Sequence, residues 1–205
     1  MRALHLKLMK KTLRSITLFA VVTVLTPWLA AQAPPPSQEL VLQLDPAKSG
    51  ADIILAANLH TVHGSFSLKH GAIRFNPATG QANGEVVFDA TSGKTGNTSR
   101  DNKMQKDVIQ SQRYPEIVFH PDHADGTLSA SGDSTLQVHG MFAIHGAEHE
   151  VIFPVQVSLS GNAWTARAAF QIPYVKWGMK NPSVLFLRVA DTVQVQFHAA
   201  GSSAQ

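Results

Sequence analysis

The hydropathy pattern of this chain predicts an all-β fold, a single antiparallel β-barrel of about eight strands with one short helix. Three observations predict it: apolar and polar residues alternate with period two over most of the chain, turn-forming residues separate the alternating runs at hairpin length, and only one stretch carries helical spacing. A two-sheet sandwich satisfies the same periodicity. Closure is preferred because it removes exposed strand edges.

The clearest strands lie in the second half. In Glu150–Ser160 the residues Val151, Phe153, Val155, Val157 and Leu159 share one face. In Ala163–Ile172 the shared face carries Trp164, Ala166, Ala168, Phe170 and Ile172, and in Thr192–Ala199 it carries Val193, Val195 and Phe197. Thr135–His145 puts Leu136, Val138, Phe142 and Ile144 together, with Gly140 as a gap in the row. Earlier strands are expected at Leu40–Leu44, Asp52–Ala57, Gly64–Phe75, Gly84–Ala90 and Glu116–His120. Asp45-Pro46, Asn76–Gly80, Asp125-Gly126 and Ser160–Asn162 act as separators.

The exception is Thr91–Pro115. Thr98 lies three residues before Asp101, the spacing of a reciprocal helix cap, and Met104 and Val108 give a narrow apolar stripe. Pro115 pushes Tyr114 toward extended geometry, so the helix must end before it.

Charge and composition narrow the function. Lys and Arg total 17 against 14 Asp and Glu, but five of the basic residues (Arg2, Lys7, Lys10, Lys11 and Arg14) precede an apolar run, Ile16–Ala31. That order predicts a signal peptide over residues 1–31, cut after Ala31. An uncleaved anchor is the alternative; the run is short for a span of about 20 residues and is broken by Thr23, Thr26 and Pro27. A Pro-rich linker, 32–39, would join the leader to a single domain, 40–200. Without the leader, 12 basic residues face 14 acidic ones, which leaves no basic track for nucleic acid. No cysteine is present, so thiol catalysis, cysteine–zinc sites and disulfides are excluded. A periplasmic or secreted location is expected, with no stable membrane span after cleavage.

Several segments, in order and spacing, resemble the YceI-like family of exported lipid-binding proteins: Leu44–Ser49, Val62–Phe66, Gly71–Phe75, Thr95–Asn97 with Arg100-Asp101, Tyr114–Phe119, Gly140–Gly146 and Trp177-Gly178. The likeness spans nearly all of residues 40–199. It departs at Asn102-Lys103, at Val108-Ile109, and before Asp45-Pro46, where the usual aromatic is replaced by Leu42 or Leu44. The resemblance implies a lipocalin-like barrel whose apolar interior holds a long isoprenoid or fatty-acid-derived chain as ligand, with no other cofactor, and it leaves room for a homodimer.

The expected lipid-binding residues are Val138, Phe142, Phe153, Val155, Trp164, Ala166, Ala168, Phe170 and Trp177. Small residues among large ones in these rows leave space for a chain. Arg100 and Asp101 admit two readings, a head-group contact suited to an oxyanion or a helix cap and loop tie. The apolar segment Tyr174–Val189 reads as a lid over one barrel end or as an ordinary strand with a packed loop. A metal site is the alternative function. His60/His63, His120/His123 and the group His139, His145 and His149 supply ligand types, yet residues three apart on a strand face opposite sides. No metal ligand is assigned. Catalytic motifs are absent: no Gly-x-Ser-x-Gly, no His-Glu-x-x-His, no phosphate loop. The chain is therefore expected not to be an enzyme, with a cryptic barrel hydrolase as the remaining rival.

Overall fold

A computed structural model describes residues 39–204. The expected leader lies outside the described residues, as does the linker apart from Glu39. Among the described residues nine strands form: β1 (Leu40–Leu44), β2 (Gly50–Ala56), β3 (Thr61–Phe75), β4 (Ala82–Asp89), β5 (Glu116–Asp125), β6 (Gly132–Ile144), β7 (Ala147–Ser160), β8 (Ala163–Ile172) and β9 (Val193–Ala204). All pair antiparallel, and β3–β4 pairing closes the sheet into a barrel. The barrel was thus the correct alternative to the sandwich.

The ninth strand does not widen the barrel. β2 pairs with the first half of β3 through Gly50↔Ser67, while β1 pairs with its second half through Leu42↔Ile73. Both also pair with β9, so β1 and β2 lie end to end in one strand position. Asp45-Pro46 interrupts them. Ala47 N–H donates to Asp45 Oδ1 at 2.9 Å, and Ser49 Oγ accepts from Ala200 N–H at 3.2 Å, substituting for the missing ladder bond.

The registers define two ends. At one lie the β2–β3, β4–β5, β6–β7 and β8–β9 connections; at the other lie β3–β4, β5–β6 and β7–β8. The β6–β7 connection is the two-residue turn His145-Gly146, with φ of 54° and 78°. A Cβ on Gly146 would stand 2.4 Å from the Tyr114 ring, so glycine is required there.

The helical segment departs in detail from its expected form. The α-helix, α1, covers only Thr98–Lys103 and continues as a π-helical turn over Met104–Val108. Its cap is Asn97 rather than Thr98: Asn97 is extended, and its Oδ1 accepts from Arg100 N–H at 3.0 Å. Asp101 does not cap the helix. Its Oδ1 accepts instead from the backbone N–H of Thr95 at 2.8 Å and from the Thr95 hydroxyl. The turn ends at Gln110, with φ of 52°, five residues before Pro115. The helix precedes that proline as expected, but a left-handed residue stops it. Among the described residues no helix is long and apolar enough to cross a membrane.

Candidate ligand cavity

The inward faces of the strands enclose a cavity of about 520 Å³, within the ~300–1,000 Å³ usual for small-molecule sites. Seven of the nine expected lipid-binding residues line it: Val138, Phe142, Phe153, Val155, Trp164, Ala166 and Phe170. Ala168 is buried in the packed wall, and Trp177 lies just outside the lining. The opposite wall, from β2 to β5, contributes Ile53, Leu55, Phe66, Val86, Phe88, Ile117 and Phe119. These follow the same alternation, yet none was singled out from sequence.

Aromatic rings organise one side. Phe153 stacks on Phe170 with centroids 4.3 Å apart and rings 15° from parallel, and Phe119 leans on Phe153 at 5.3 Å. The gap expected at Gly140 is closed. A Cβ there would come within 2.8 Å of the Phe119 ring and 2.3 Å of the His120 carbonyl, so the space is taken by a neighbouring ring and strand. The cavity owes its volume to other positions, Ala166 among them.

Polarity is confined to one end. Every lining residue with a charged, amide, imidazole or hydroxyl group (His60, Thr95, Asn97, Ser99, Arg100, Lys103 and Tyr174) belongs to the end bearing α1 and the β8–β9 connection. The far end is closed by apolar groups, including Leu128, Leu136 and Trp164, whose indole N–H donates to the Ser202 carbonyl at 3.0 Å.

At the polar end, Arg100 and Asp101 grip the same residue. Arg100 Nε donates to Thr95 Oγ1 at 2.7 Å and an Nη to the Thr95 carbonyl at 2.8 Å, while Asp101 accepts from the other side. Lys94, one residue earlier, bridges to Ser65 on β3. Both residues therefore tie the β4–β5 connection to the barrel. Arg100 also lines the cavity; Asp101 does not. Met104, Val108 and Ile109 place the apolar stripe of the helical segment in the lining.

Tyr174–Val189 folds across this end. Tyr174, Met179, Pro182, Leu187 and Val189 face the cavity, and Lys103 Nζ donates to the Pro182 carbonyl at 3.1 Å, joining the segment to α1. Burial and the nearby Asp191 push the Tyr174 hydroxyl up to about 12, so it is held neutral while donating to the Ala190 carbonyl at 2.7 Å. Trp177 stacks flat on His149, with centroids 4.1 Å apart, and reaches Phe142 at 6.0 Å. Burial holds the His149 imidazole below its ordinary pKa. Its unfolded counterpart gains a proton first on acidification, so the group's contribution to stability is intact above about pH 6.5 and is lost as pH falls through the depressed folded value. Chemical denaturation at about pH 7.5 and pH 5 should show wild type losing more stability on acidification than His149→Gln. Parallel losses would contradict this.

The histidines fall mainly on the outer surface. A β-bulge between Pro121 and His123 breaks the strand parity, so His120 and His123 both point outward instead of to opposite faces. His123 and His139 Nε2 lie 3.0 and 2.8 Å from separate oxygens of Asp125, whose carboxyl these bonds hold below the usual carboxylate range. Among the described residues no group of three or more His, Asp or Glu side chains is placed to hold a metal.

Comparison with solved structures finds the same barrel in several bacterial proteins. Burkholderia cenocepacia BcnA aligns with a TM-score of 0.63 at 24% identity, covering 77% of this chain and 99% of that one. A polyisoprenoid binding domain from Saccharophagus degradans gives 0.62 at 17% identity, covering 80% and 98%. The Campylobacter jejuni YceI protein gives 0.56 at 16% identity, covering 70% and 86%. At these identities the likeness is one of fold. No curated protein matches the chain. The family model of the YceI-like domain matches residues 42–200, the whole barrel from within β1 to within β9, and the chain belongs to that family.

Proposed function

We propose that this protein holds one long-chain amphiphile, of isoprenoid or fatty-acid type, with its tail in the barrel and its head among Thr95, Asn97, Ser99, Arg100 and Lys103. The observation that carries the reading is the polarity gradient of the cavity: apolar along its length and polar at one end only. An amphiphile has the same gradient. Each buried methylene contributes about 0.8 kcal/mol of gross transfer free energy, so a tail of four isoprene units outweighs the costs of association without a charged anchor. The likeness to the polyisoprenoid binding domain of Saccharophagus degradans supports this ligand class.

The role is carriage or sequestration rather than catalysis. Among the described residues no carboxylate lines the cavity, and no hydroxyl in its lining is hydrogen-bonded to His60, the imidazole there. The basic start and apolar run that predict a leader over residues 1–31 support export to the periplasm or beyond. Organic extraction of detergent-free protein followed by mass spectrometry should yield a stoichiometric long-chain amphiphile, and the intact mass should correspond to a chain starting at Gln32. An empty barrel carrying zinc or copper would overturn the reading in favour of metal binding. Turnover of ester substrates would favour a hydrolase.

A further inference from the structure

The β8–β9 connection carries a feature that the cavity does not explain. Val184 and Leu187 pair as a two-residue hairpin, Leu187 N–H donating to the Val184 carbonyl at 2.6 Å and Val184 N–H to the Leu187 carbonyl at 3.1 Å. Such turns normally carry Asn, Asp or Gly, because the backbone must adopt positive φ. Here the turn residues are Leu185 and Phe186. Leu185 takes φ of 30°, and the two side chains are 87% and 86% exposed. Leu59, on the adjoining β2–β3 connection, is 71% exposed.

This tip is built rather than frayed. Asn58 donates from Nδ2 to the Phe186 carbonyl at 3.0 Å and accepts the Arg188 N–H at Oδ1, also at 3.0 Å. Asn181 Oδ1 accepts the Ser183 N–H, and Ser183 Oγ accepts the Val189 N–H. The backbone is therefore fixed so as to hold two large apolar side chains in solvent, with Leu185 at a positive φ that a branched side chain seldom takes.

Charge is segregated toward the same end. The β4–β5 connection bears Lys94, Arg100, Lys103, Lys106 and Arg113 against Asp101 and Asp107, and the β8–β9 connection bears Lys176, Lys180 and Arg188 against Asp191. Eight of the twelve basic residues in the described chain thus lie in two connections at this end, with three of its fourteen acidic ones, while Asp89, Glu116 and Glu148 flank the same end from the strands. The three connections at the opposite end contain no Lys or Arg. The strands are acidic on balance and the two long connections at this end are basic.

We propose that this end docks on an anionic lipid bilayer, with Leu185, Phe186 and Leu59 inserted at the level of the head groups and the surrounding Lys and Arg residues set against lipid phosphates. An apolar tip on basic connections is the pattern by which surface-bound proteins engage anionic membranes. The cavity mouth would then face the phase in which a long-tailed amphiphile resides. The inference goes beyond the ligand reading, because docking can occur whatever fills the barrel.

The test is flotation of the purified protein with vesicles of phosphatidylcholine containing about 30 mol% phosphatidylglycerol, beside vesicles of phosphatidylcholine alone. Wild type should float with the anionic vesicles, and less as salt is raised. Leu185→Asp with Phe186→Asp should weaken flotation at least about tenfold while leaving the melting temperature and the extracted amphiphile unchanged. Lys176→Glu with Lys180→Glu should weaken it on anionic vesicles only. If the double aspartate variant melts early, Phe186→Ser takes its place. Absence of wild-type flotation, or equal flotation of wild type and tip variants, would overturn the proposal. So would a tip variant whose one change is loss of a dimer in sedimentation, which would assign the patch to a second copy of the chain.

Discussion

Ala166→Trp should empty the barrel. Ala166 lines the cavity from β8, opposite Val157 on one neighbouring strand and Ala199 on the other, and its methyl group leaves room that the adjacent aromatic residues do not fill. An indole there projects into space that a ligand tail would otherwise occupy. Displacing as few as three buried methylenes removes about 2.4 kcal/mol, a loss of affinity of about fifty-fold. The amphiphile recovered by extraction should fall accordingly, with far-ultraviolet circular dichroism unchanged. Undiminished ligand in a folded variant would place binding outside the barrel. Ala166→Leu, a smaller intrusion, should give an intermediate loss and serves if the indole proves too large to fold.

Trp164→Ala, two residues away, should act on stability. Trp164 is 4% exposed at the closed end of the cavity, where its ring covers Gly201 and its N–H satisfies the Ser202 carbonyl. Removing it opens a void and leaves that carbonyl without its partner. Large-to-small substitution of a buried aromatic costs about 3–5 kcal/mol. For a domain of this size that lowers the melting temperature by roughly 10–15 °C. Trp164→Phe separates the two contributions, since it keeps most of the ring and loses only the donor; about 1–2 kcal/mol is expected. Equal losses in the two variants would show that the hydrogen bond, and not the packing, holds the closed end.

The two substitutions probe a division along the barrel axis. The end around Trp164 is sealed by apolar packing, whereas the end around Arg100 and Tyr174 is assembled from connections and polar side chains. Arg100 shows how one residue serves both structure and site. Its Nε and one Nη hold Thr95, and its side chain lines the mouth where a ligand head is expected. Trp177 acts from farther out, stacked on His149 and within ring contact of Phe142, so its influence on the cavity passes through the wall.

Alternation of side chains determined much of this from sequence alone. A strand has a period of two whatever surrounds it, so Phe153, Val155, Trp164 and Phe170 were legible as inward-facing before any contact was known. The rows of β2 to β5 obeyed the same rule; Phe66 and Phe119 could have been drawn from it, although the bulges after Leu68 and Pro121 interrupt the parity of their strands. What sequence could not decide was anything set by residues distant along the chain. Gly140 read as a gap because its own strand offers no side chain, and only pairing with β5 brings the Phe119 ring into that space. Asp101 read as a cap because the spacing allowed it, whereas Asn97 takes the cap and Asp101 holds Thr95, beside the Lys94 that pairs with distant Ser65. Local geometry is written in neighbouring residues. The position of the cavity mouth, its polarity and the exposed tip beside it depend on which connections the closed sheet gathers at one end, and that was decided by tertiary structure.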